Sequence, residues 1–316
     1  MTNPFRFSTA MPRFAGPVPE WRDRLRRIED LGYWSVAVSD HFTRGWMMEP
    51  VVAMTAAAEA TTTLRVLPLV LCNDYRHPVM LHKSLATLDA LSGGRVEIGL
   101  GAGWMGSEYE AAGMPFEAAG VRVERLAEAV DVITGLFGER PLTYAGKHYR
   151  ITELDGLPKP VQTPRPPVLI GGGGRRVLEL AGRSADIVGI NASMRHGGAT
   201  GLSLLDLTAD RVKTKVTIAR EAAGDAGRDP EDLSYQMSIL SVDITDVPGA
   251  RPWVSSLASD VTDPAVLSAS PAVLRGSVAS CVETLQRHRE EFGLDYIHFG
   301  GDPLVAAPVV ARLAGT

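Results

Sequence analysis

The sequence has little cysteine: Cys72 and Cys281 are the only two in 316 residues. Two thiols cannot build a disulfide framework, so nothing in the cysteine usage asks for an oxidising compartment. No apolar run reaches the roughly 18 residues that a membrane helix needs. The opening residues, MTNPFRFSTAMPRF, lack the apolar core of about 7–15 residues of a secretory signal, so a cytoplasmic location is expected. Neither sign of charge is in large excess, with 32 Lys and Arg against 37 Asp and Glu and a formal net charge of −5. Without a basic surplus, no nucleic-acid partner is expected. Hydrophobic residues make up 45% and charged residues 22%, which excludes disorder as the main state. No internal repeat and no composition shift marks a boundary. Residues 1–316 therefore read as one domain, a length that α/β barrels commonly reach.

What is present is an alternation. Short apolar runs at 5–11, 34–39, 64–72, 95–101, 167–170, 185–190, 234–244 and 295–299 read as strands. Between most of them lie helical patterns. In 19–31, Trp21, Leu25, Ile28 and Leu31 recur at helical spacing and Gly32 ends the run. Further helices are expected over 50–60, 78–91, 121–137, 175–183, 206–226, 278–292 and 303–313. The polar stretch 138–167 contains a short excursion at 144–150. Residues 247–271 are irregular and fit a long active-site loop. Repeated βα units imply parallel strands, because parallel neighbours need a crossover. Eight such units point to a (β/α)8 TIM barrel; an open doubly wound sheet is the competitor.

In a barrel the chemistry sits where strands end, so the strand ends carry the argument. The second ends in Asp40-His41, a carboxylate beside an imidazole, suited to general acid/base work. The plainer reading is a turn-forming Asp and a helix-capping His. The third ends in Cys72-Asn73, where a buried Cys is most simply a small core residue. The fourth ends in Gly99-Leu100-Gly101-Ala102-Gly103-Trp104, with Glu108 four residues on. Spaced glycines there leave room for a flat ring or only permit close packing. The fifth ends in Gly171, Gly172, Gly173 and Gly174, followed by Arg175 at a helix start. Backbone N–H groups and the helix dipole at such a point suit a phosphate, and a tight turn is the alternative. No His/Cys spacing suggests a zinc site, so no metal is expected, and no G-x-S-x-G elbow occurs. His148, His196, His288 and His298 show no partner in the sequence.

In order and spacing, these pieces resemble the luciferase-like monooxygenase superfamily, and within it the branch of oxidoreductases that use the deazaflavin coenzyme F420. The matching segments are Glu29-Asp30-Leu31-Gly32, Ser39-Asp40-His41-Phe42, Arg76-His77-Pro78, Ser92-Gly93-Gly94-Arg95, the fourth-strand glycines, Glu108-Tyr109 and the run into Arg175. The resemblance implies a TIM barrel with insertions and a flavin-type ring at its C-terminal face. It places Asp40, Cys72, Asn73, Gly103 and Ser107 beside the coenzyme, and Gly171, Gly172, Gly173, Gly174 and Arg175 on its phosphate. It also implies a non-proline cis bond, matched here at Cys72–Asn73. His41 and Glu108 become the catalytic pair, with His41 as proton donor or acceptor. The implied reaction moves a hydride between the deazaflavin and an organic substrate, a small molecule or peptide, in a homodimer. Trp104 stands where sugar-phosphate and secondary-alcohol dehydrogenases of the branch carry a Glu, and with Trp46 it forms a prospective aromatic wall. An FMN-dependent monooxygenase is the first alternative, and a non-catalytic flavin-binding relative the second.

Overall fold

A computed structural model describes residues 3–43, 48–194, 201–255, 258, 263, 265, 268 and 270–316. The first strand, β1 (Arg6–Ala10), leads through α1 (Val18–Asp30) to β2 (Ser35–Val38). Trp21, Leu25 and Ile28 form the buried stripe of α1, as their spacing predicts. Two helices follow, α2 (Pro50–Ala60) and α3 (Pro78–Leu91). Each opens on proline, where a missing N–H costs nothing, and is capped by the preceding side chain, Glu49 or His77.

Between them the third strand is broken into β3 (Arg65–Pro68) and β4 (Leu71–Cys72). The break holds the cis peptide Leu69–Val70. The cis bond therefore lies three residues before the expected Cys72–Asn73. Leu71 and Cys72 pair with Leu100 and Gly101, so the end of the run is regular strand, and it is the residues after Pro68 that leave the ladder.

The chain continues through β5 (Ile98–Gly101), α4 (Gly106–Ala111) and α5 (Ala119–Leu136). The polar excursion is an antiparallel hairpin, β6 (Leu142–Ala145) with β7 (Arg150–Leu154), packed on α5 through Val132, Leu136 and Ile151. Then come β8 (Val168–Gly172), α6 (Arg175–Ser184), β9 (Ile187–Ile190), α7 (Ala209–Asp225) and β10 (Ser234–Ile239). The expected strand at 234–244 is two strands. β11 (Ser241–Ile244) leaves the barrel and pairs with β12 (Trp253–Val254) and β13 (Val273–Gly276). Last are α8 (Val278–Phe292), β14 (Leu294–Phe299) and α9 (Pro303–Leu313).

The main sheet runs β3-β2-β1-β14-β10-β9-β8-β5-β4, with every pairing parallel. Because β3 and β4 are halves of one strand, this order closes on itself. Val66 of β3 completes the ring by bonding Arg95 and Glu97 on its far side. The result is the expected (β/α)8 barrel. Phe7 and Phe299 stack outside it, under the helices. Ala37, Leu67, Leu169, Ile187 and Tyr296 fill its interior as a separate cluster. Below them Glu97 accepts from the Tyr296 hydroxyl at 2.6 Å and from the indole of Trp34 at 2.8 Å.

Candidate active site

The loops after β2, β4 and β5 converge at the C-terminal mouth. Asp40 is buried and engaged three times. It accepts from the Cys72 N–H at 2.9 Å and from both terminal nitrogens of Arg76, at 2.6 and 3.1 Å. This bidentate pair ties the β2 loop to the turn after β4.

His41 places Nδ1 2.8 Å from Oε2 of Glu108. Glu108 sits in α4 with no exposed surface. Its Oε1 accepts from the N–H groups of Phe42 and Thr43 at 3.0 and 3.2 Å, and from the Thr43 hydroxyl at 2.9 Å. The Tyr75 hydroxyl donates to Oε2 at 3.0 Å. Burial pushes the Glu108 carboxyl up, but the bonds from His41, Thr43 and Phe42 outweigh it and hold it below the ordinary carboxylate value. Glu108 is thus an anion at neutral pH. The shared proton belongs on Nδ1 of His41, which sets the tautomer of the ring. Trp104 meets the His41 ring edge-on at 5.6 Å. Trp46 lies outside the described residues.

Cys72 packs its sulfur 3.1 Å from the Tyr109 hydroxyl, which donates to Asp74 at 2.9 Å. Burial pushes the thiol up to about 11, so it stays protonated. Gly103 closes on this pair at φ +73°, and a Cβ there would come within 2.8 Å of the Cys72 sulfur. Asn73 is buried and reaches the Tyr149 hydroxyl at 3.4 Å. Ser107 is exposed in the first turn of α4.

The floor of the mouth has two unlike halves. On one side, Val70 projects from the broken strand onto the glycines of β5 and β8. A Cβ on Gly101 would approach Val70 to 2.6 Å, and one on Gly171 to 3.1 Å. These glycines therefore seat Val70. On the other side, β1, β14 and β10 set Ser8, His298 and Ser238 in one row, with Gln236 buried in the row of Tyr296 below. Ser8 Oγ lies 2.9 Å from Nδ1 of His298.

The glycine run after β8 divides by function. Side chains at Gly172 and Gly173 would collide with Val177 and with the backbone of Asn191 and Ala192, so these two glycines serve packing. A Cβ on Gly174 would meet nothing. Gly174 is the N-cap of α6 and provides no side-chain cap; the Val177 N–H bonds the Gly174 carbonyl, which leaves those of Arg175 and Arg176 as the uncapped pair. Arg175 is largely exposed and pairs with Glu179 at 3.5 Å. A group that sequence reasoning missed fixes this loop. Lys215, buried on α7, donates to the Gly173 carbonyl at 2.7 Å and to Asp206 at 2.8 Å. Trp253 was also missed: its indole lies against Gly300 and Gly301, filling the space their side chains would take. Neither residue belongs to a local motif, so only the folded chain shows them. An outer groove of about 520 Å³, lined by Arg275, Arg287 and His288 among others, shares no residue with this site. Among the described residues, no His, Cys, Asp and Glu cluster could hold a metal. No helix among them is long and apolar enough to cross a membrane.

Residues 4–242 match the family model for luciferase-like monooxygenases. The chain belongs to that family. Curated relatives of this luciferase-like protein include an FMNH(2)-dependent dimethylsulfone monooxygenase of Pseudomonas putida. It is 26% identical over 214 residues, 62% of this chain and 59% of that protein. An F420-dependent glucose-6-phosphate dehydrogenase of Intrasporangium calvum is 33% identical over 173 residues, 52% of this chain and 51% of that one. The matches thus span a little over half the length of these relatives. Among solved structures, an F420-dependent secondary alcohol dehydrogenase in complex with an F420-acetone adduct superposes with TM-score 0.77, at 19% identity and 98% coverage of both chains. The F420-dependent tetrahydromethanopterin reductase of Methanopyrus kandleri gives 0.75, at 19% identity and 99% coverage of both. These likenesses establish the barrel as the fold of the luciferase-like chain.

Proposed function

We propose that this luciferase-like protein is a coenzyme F420-dependent oxidoreductase that moves a hydride to or from an organic substrate. The observation that carries the reading is the His41–Glu108 pair at the mouth. Hydride transfer to or from a carbonyl–alcohol couple needs one proton delivered or removed at a defined atom. Glu108 fixes the His41 tautomer, so Nε2 serves that role, and Trp104 limits how the ring can tilt. The relative from Intrasporangium calvum adds support, since its name carries the same coenzyme.

The residues present fit a flavin-type coenzyme. Gly174 and the uncapped start of α6 suit a phosphate, with Lys215 holding the loop in shape. Val70 and its glycine seat provide an apolar surface for a flat ring. When bound, the deazaflavin supplies the site that accepts or gives the hydride. The protein's own part is to orient both reactants and to handle the proton at His41.

The second reading is an FMN-dependent monooxygenase on the same barrel. The dimethylsulfone monooxygenase relative favours it. Titration of the purified chain with F420 and with FMN, followed by fluorescence, separates the two. Micromolar or tighter binding of F420 with weak FMN binding is expected. Preference for FMN, with oxygen consumption in the presence of a flavin reductase, replaces the reading with the second one.

A further inference from the structure

His298 lies at the floor of the mouth, and neither the resemblance nor the proton chemistry of His41 uses it. Along β14, Phe299 faces the helices while Tyr296 faces the barrel interior. Alternation therefore turns His298 inward, one layer above Tyr296. The layer beneath is closed, because Ala37, Leu67, Leu169, Ile187 and Tyr296 are 0–5% exposed. His298 is nevertheless only half-buried, so the solvent that reaches it comes through the mouth. By register, Ser8 of β1 and Ser238 of β10 flank it on either side. Directly beyond it on the strand, Trp253 lies against Gly300 and Gly301.

We infer that His298, aligned by Ser8 and flanked by Ser238, is a second polar contact for the reacting molecule and recognises a neutral oxygen, a carbonyl or a hydroxyl. The inference rests on reading the mouth as the reaction site. The bond to Ser8 at 2.9 Å engages Nδ1 and sets the ring's orientation. Among the described residues, the groups this half of the floor exposes are uncharged, the His298 imidazole and the Ser238 hydroxyl, with Ser8 and Gln236 buried behind them. Burial pushes the His298 pKa down to about 4, so the ring stays uncharged at neutral pH. The charged interior groups are committed elsewhere. Glu97 is held by Tyr296, Trp34 and Arg65, and Arg6 by Ser234 and Asp295. Among the described residues, a carboxylate or phosphate on this floor would find no counter-charge, whereas a neutral oxygen would find donors and acceptors.

The first test uses the chain alone. Side-chain nitrogen–proton correlation spectra of its seven histidines are recorded from about pH 5 to 8, with His298 assigned by its loss in His298→Asn. One neutral tautomer is expected throughout, and a mixture in Ser8→Ala. A ring that titrates near its ordinary value, or a tautomer indifferent to Ser8→Ala, overturns the alignment. Acetone, cyclohexanone and 2-propanol are then titrated against acetate while the His298 signal is followed. Movement with the neutral compounds alone supports the inference; no movement, or movement with acetate, overturns it.

The second test uses the holoenzyme and the coenzyme it binds. His298→Asn and His298→Phe are each expected to raise KM for a neutral carbonyl or alcohol substrate about tenfold, with coenzyme Kd unchanged. An unchanged KM, or a weakened coenzyme in place of a raised KM, overturns it. A wild-type chain that binds neither coenzyme defeats the proposed function, and the ring titration then decides the role of His298 by itself.

Discussion

Glu108 holds Nδ1 of His41 at 2.8 Å, joining the helix after the fourth barrel strand to the loop after the second. The same carboxylate accepts from Phe42, Thr43 and Tyr75. It is a positioning residue, since it acts on the reaction through His41. Glu108→Gln is expected to lower kcat about 100-fold with little change in KM and to alter the pH profile, because the imidazole loses its fixed tautomer. Glu108→Ala should also cost about 3 kcal/mol of stability by stranding buried donors. Steady-state kinetics and thermal unfolding check both. A pH profile untouched by Glu108→Gln would sink the positioning role.

The seat of Val70 predicts a rescue. Gly101→Ala drives a methyl to within 2.6 Å of Val70 and should cost about 1–3 kcal/mol through overpacking. Val70→Ala in the same chain should recover at least half of that loss. The measurement is a double-mutant cycle by urea unfolding. Additive losses would mean that the glycine answers to something other than Val70.

Lys215 predicts an effect at a distance on anion binding. Lys215→Met releases the Gly173 carbonyl and leaves Asp206 without its cation. Affinity for FMN, F420 or inorganic phosphate should fall about tenfold, and unfolding should become easier by about 1–3 kcal/mol. Calorimetric titration reads the first effect and thermal unfolding the second. Full phosphate affinity in the variant would remove the loop after β8 from the anion site.

Three histidines of the interior predict a sloping acid limb. Burial pushes His82, His288 and His298 down to about 4 from 6.5. Between those values the unfolded chain binds more protons than the folded one, so stability falls as pH drops from 6.5 towards 4. The slope is up to about 1.4 kcal/mol per pH unit for each group. Glu29 extends the loss. Burial pushes its carboxyl up, yet bonds from Thr62, Thr63 and Leu64 bring it to about 2 from 4.5. Its contribution is present above 4.5 and disappears towards 2. Calorimetric Tm values across this range check the slope, and His288→Leu should flatten the part between 6.5 and 4.

Much of the architecture was legible because it follows periodicity. The bounds of α2, α3, α8 and α9 match those read from prolines, caps and apolar spacing. Asp40, His41 and Glu108 were legible as chemistry at strand ends, though not their division of labour. Which carboxylate would pair with Arg76 and which with His41 depends on loops that meet only in the folded barrel. The break in the third strand was misplaced because Leu69 and Val70 look like any other apolar strand residues. The four consecutive glycines suggested a single cradle, but two of them answer to Val177, Asn191 and Ala192, contacts set by the neighbouring helix and strand. Ser8 and His298 lie 290 residues apart, and only closure of the barrel makes them neighbours.

That closure also sets how this protein can change over evolutionary time. On the Val70 side, the surface is built from backbone and absent side chains, so most substitutions there collide with their neighbours. On the Ser8 and His298 side, each group is an ordinary side chain on a continuous strand, replaceable one at a time. New specificities can therefore arise along β1, β10 and β14 while the opposite half is inherited intact.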